Sequence, residues 1–121
     1  MMELLATERG QLRVRWQGFI YECGPKLARA HALKLAEAAG APGRALVKCQ
    51  LVWFAGYGQQ RELEWRGSKD QAAAFAVRLN LEADAAELQA SLLQRLRAEE
   101  AARARAEQLA RYGGGPEGGR S

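Results

Sequence analysis

The stretch "LRVRWQGFIYEC", Leu12 to Cys23, limits the fold more than any other, because two alternating runs meet there at a two-residue loop, Gln17-Gly18. A loop that short joins antiparallel strands, and the alternation on either side fixes their register. Pairing Trp16 with Phe19 sets Val14 opposite Tyr21 and Leu12 opposite Cys23 on one apolar face. Arg13 then faces Glu22, and Arg15 faces Ile20, on the other. Carried back across an Arg9-Gly10 loop, the same logic adds a first strand from Glu3 to Glu8, with Thr7 against Leu12 and Leu5 against Val14. The outer face of this three-strand meander is expected to carry Leu4, Ala6, Arg13, Arg15, Ile20 and Glu22.

Gly24-Pro25 punctuates the third strand, and a proline suits the first turn of a helix. Over Pro25 to Gly40, Leu27, Ala28, His31, Ala32, Leu35, Ala38 and Ala39 share one face at 3.6 residues per turn, so this helix packs one side on the sheet. A second hairpin follows. Val47, Cys49, Leu51 and Trp53 alternate inward, as do Leu63 and Trp65, and the glycines of "AGYGQQ" supply the turn. Ser68 and Gln71 have capping-box spacing, which starts a helix at Lys69; Asn80 either ends it or is passed through. Asp84 and Glu87 repeat that spacing ahead of Leu88, Leu92, Leu93 and Leu96 and mark a helix running to Tyr112. No sustained heptad follows, which argues against a long coiled coil.

The expected architecture is therefore an α+β fold: two β-hairpins, the first extended to a three-strand meander, each followed by a helix in a ββαββα-like order, plus a long C-terminal helix. At 121 residues the chain has room for one modest core. The α+β domain is placed at 1–81, a helical extension at 82–112 and a disordered tail at 113–121.

Residues that could carry chemistry are few. The chain has one histidine and two aspartates, and its two cysteines lie 26 positions apart, far from the spacing of paired metal ligands. His31 falls on an apolar helix face and reads as a packed core histidine; Cys23 and Cys49 read as reduced core residues. Glu62 and Glu64 alternate outward on a strand, where carboxylates ordinarily meet water. The glycines around Tyr57 precede a strand instead of opening a helix, so they do not form a phosphate cradle. The reading is non-enzymatic, with no cofactor and no metal. No 18-residue apolar run is present and charges interrupt the N-terminal stretch, so a cytoplasmic protein without a membrane partner is expected.

Charge is the one asymmetry. Through Gly67 there are ten Lys and Arg against six Glu, whereas eight of each sign follow. A β-ribbon can enter the major groove of DNA and present arginines from alternate positions. Arg9, Arg13, Arg15, Arg44, Lys48 and Arg61 are the candidate nucleic-acid contacts, for DNA more than RNA, of a small accessory or regulatory protein. The alternative is a protein-interaction or self-assembly module acting through the sheet face or the C-terminal helix. A continuous cationic face would favour the first, and scattered cations the second.

Overall fold

The computed structural model describes residues 1–43 and 45–113; Arg44, and the expected tail from 114 onward, lie outside the described residues. Strands β1 (Glu3–Leu4), β2 (Leu12–Trp16) and β3 (Phe19–Cys23) precede helix α1 (Pro25–Gly40). Strands β4 (Leu46–Phe54) and β5 (Gln60–Ser68) follow, and then helix α2 (Lys69–Gln108). All five strands belong to one antiparallel sheet in sequence order, joined between the hairpins at Glu22 and Phe54. This is the α+β fold expected, with its long C-terminal helix.

The β2–β3 register runs as the loop dictates, from Trp16↔Phe19 to Leu12↔Cys23. Gln17 (φ 51°) and Gly18 (φ 82°) both adopt left-handed conformations, the two-residue turn whose twist matches that of the strands. The register of β1 differs from expectation. Glu8 pairs with Gln11 around the Arg9-Gly10 turn as foreseen, but Leu4, not Leu5, stands opposite Val14. Between these pairs the N-terminal side has three residues and β2 has two, so one extra residue bulges out of the ladder. The slip turns Leu4 into the core beside Met2, removes it from the outer face and shortens β1 to two residues.

Helix α2 holds this bulged segment. Thr7 Oγ1 donates to Glu82, Gln89 Nε2 donates to the Thr7 carbonyl at 2.9 Å, and the Gly10 N–H donates to Gln89 Oε1 at 3.0 Å. The helix starts where the capping box puts it, with Ser68 and Gln71 each accepting from the other's backbone N–H at 3.1 and 2.8 Å. It does not end at Asn80. Nor do Asp84 and Glu87 begin a new helix. Three residues apart on one face, they instead receive Arg29 of α1, which donates to both carboxylates at 2.6 Å.

The inward residues of all five strands meet α1 and α2 on the same side of the sheet. Trp53, Leu12, Leu35, Leu51, Leu79, Val14 and Cys23 are the largest fully buried side chains. Alanines on the buried helix faces, including Ala28, Ala32, Ala72, Ala76 and Ala83, let the helix backbones approach closely. Chain contacts define one compact unit, Met1–Gln89, and a second, Ala90–Ser121. The second is helical through Gln108, and its described side chains are exposed apart from the half-buried Leu93.

Candidate interaction surfaces

Strand alternation puts Arg13, Arg15 and Lys48 on the open face of the sheet, away from the helices. Carboxylates are interleaved with them. Arg13 pairs with Glu8 at 3.3 Å, Arg15 with Glu3 at 3.1 Å, and Arg66, opposite Lys48, with Glu64 at 2.8 Å. Arg13, Glu22 and Phe54 form one row across the sheet, and Lys48 lies six residues further along β4, about 20 Å away. Arg61 stands opposite Trp53, so it belongs to the other pleat face, and its guanidinium bonds Gln60 and Gln59. Arg9 is exposed at the tip of its turn, and Arg44 lies outside the described residues. The structure thus brings Arg13 and Arg15 together but does not join the described candidates into one cationic face.

Of the residues considered for chemistry, His31, Cys23 and Cys49 occupy core positions, while Glu62 is exposed and Glu64 half-buried. His31 is buried against Trp53, with ring centroids 5.5 Å apart, and its Nε2–H donates to the Val52 carbonyl at 2.6 Å. Burial holds its pKa below the ordinary imidazole value. One turn on, Lys34 donates to the Gln50 carbonyl at 2.6 Å. These two side chains satisfy carbonyls of β4 along the stretch where β3 does not pair with it. Burial raises the Cys23 thiol to about 12 and shifts Cys49 upward as well. Trp53 and Trp65 are buried and Trp16 is half-buried. Among the described residues no three His, Cys, Asp or Glu side chains form a metal-holding group, and no helix is long and apolar enough to cross a membrane.

A different surface emerges on α2. Its buried residues Ala72, Phe75, Ala76, Leu79, Ala83 and Ala86 occupy an arc of about 100° facing the sheet. On the opposite side, Ala74, Val77, Leu81, Ala85 and Leu88 fall within about 80° of one another. Val77, Leu81 and Leu88 are 59, 60 and 62% exposed, so the compact unit turns three large apolar side chains to solvent. In the second unit Leu92 and Leu96 are exposed too. In sequence these positions follow a 3-4-4 spacing: Ala74, Val77, Leu81, then Ala85, Leu88, Leu92, then Leu96. A search for heptads passes over this pattern, because its period is eleven residues. The signal that finds it is an apolar stripe opposite a stripe of buried alanines.

Comparison with family models, with curated proteins and with solved structures yields no match.

Proposed function

We propose that the protein is a non-enzymatic self-assembly module in which α2 of one copy packs against α2 of a second. The observation that carries this reading is the exposed stripe of Val77, Leu81 and Leu88, on the helix face turned away from the protein's own core. Apolar side chains at helical spacing with nothing over them are the usual mark of a surface that meets a partner. The eleven-residue spacing is one that supports a helix pair without the left-handed supercoil of heptads. These side chains are 59 to 62% exposed, so each contributes little more than half of the about 1.5–3 kcal/mol of full burial toward the cost of association.

Nucleic-acid binding stands second. Its support is the N-terminal charge excess and the exposed Arg9, while the ion pairs of Arg13 and Arg15 weigh against a strong phosphate surface. Light scattering on the intact chain and on the double variant Leu81→Glu/Leu88→Glu separates the two readings. Self-assembly requires a dimer-sized or larger wild type and a folded monomeric variant. A monomeric wild type that binds duplex DNA in dilute buffer would replace this reading with the other.

A further inference from the structure

A groove of about 510 Å³ opens beside β5 and the N-terminal end of β1, and its composition is uneven. Its floor is apolar: Met2, Leu4, Trp65 and Phe75, all buried, with the two aromatic rings stacked at 5.9 Å and 27°. That floor is fixed in place. A Cβ on Gly67 would come within 2.6 Å of the Trp65 ring and 2.7 Å of Gln71 Oε1, so only the missing side chain lets the indole lie along the strand. The volume lies within the range of small-molecule sites, about 300–1,000 Å³, which are typically apolar with a few polar groups at fixed positions.

The polar side chains on the lining are those of Glu3, Gln71 and Arg78. Glu3 accepts from Arg15, which compensates its charge. Gln71 Oε1 is used by the Ser68 N–H, leaving the amide NH₂ as its free function. Arg78 is exposed and has no ion pair among the described residues. The groups left to a ligand are therefore donors, one of them a guanidinium that matches a carboxylate in a two-pronged bond.

We infer that this groove binds a small apolar monocarboxylate, its body on the Trp65–Phe75 floor and its carboxylate at Arg78 and the Gln71 amide. The exposed edges of the Trp65–Phe75 pair offer an apolar contact, and with Glu3 paired to Arg15 the uncompensated charge on the lining side chains is that of Arg78. Trp65 and Phe75 belong to the core side, but Ala74 lies on both the groove and the outward stripe of α2, so binding is measured with the stripe intact and with it disrupted.

The probe is 2-naphthoate, with the uncharged 2-naphthalenemethanol as its partner, followed by heteronuclear NMR on the intact chain and on the Leu81→Glu/Leu88→Glu variant. Naphthoate is expected to saturate below about 1 mM and to shift the Trp65 indole N–H in both proteins. Arg78→Gln should weaken naphthoate about tenfold and leave the alcohol unchanged. Its unaltered amide spectrum elsewhere shows that the fold is kept. Absence of saturable naphthoate binding, equal loss of acid and alcohol, or no effect of Arg78→Gln would overturn the assignment.

Discussion

At Gln17 the backbone asks for a conformation that the side chain resists. A φ of 51° costs a branched-chain or long side chain roughly 1 kcal/mol or more, and asparagine relieves part of it because its short amide bonds locally. Gln17→Asn is expected to stabilise the fold by about 0.5–1 kcal/mol, read as a higher urea midpoint with an unchanged slope. His31 makes stability depend on pH. Its folded pKa lies below the unfolded value of about 6.5, so as pH falls below that value the unfolded chain takes up the proton first. The stability present above pH of about 6.5 is then lost as pH falls toward the folded pKa. Urea midpoints measured between about pH 7 and 5.5 should decline for the wild type and stay flatter for His31→Asn, which removes the titrating group. Slopes of equal steepness would show that other groups dominate.

Helix α2 shows how far local rules reach. The β2–β3 register, the extent of α1 and the Ser68–Gln71 cap were legible because each depends on residues within a few positions of one another. The bulge in β1 was not, because the atoms that hold it, on Glu82 and Gln89, lie 75 to 82 residues away in sequence. The same slip governs the arginines: it places Glu3, not Leu4, opposite Arg15, so the ion pair that neutralises Arg15 follows from the bulge. Asp84 and Glu87 were misread for a related reason. A capping box and a pair of carboxylates on one helix face share the same three-residue spacing, and only the distant Arg29 distinguishes them. Gln89→Ala removes one donor and one acceptor from the Thr7–Gly10 segment at once. A loss of about 1–2 kcal/mol is expected, with faster amide exchange at Gly10, and an unchanged exchange rate there would mean that α2 does not hold the turn.

For the molecule as a whole, the distribution of apolar surface matters more than net charge. The sheet buries one face under α1 and α2 and leaves the other open, where arginines and glutamates alternate and the cations are largely compensated. Phe19, Ile20, Leu33, Leu46 and Tyr57 are exposed singly or in pairs elsewhere in the compact unit, whereas Val77, Leu81 and Leu88 line up as a stripe on α2. Whether copies assemble through that stripe can be read by isotope-filtered NMR on a mixture of labelled and unlabelled chains. Intermolecular contacts are expected between the methyl groups of Val77, Leu81 and Leu88 on one copy and α2 of the other. Strong signals from these methyls that show contact with water alone, at concentrations up to about 1 mM, would contradict self-assembly through the stripe.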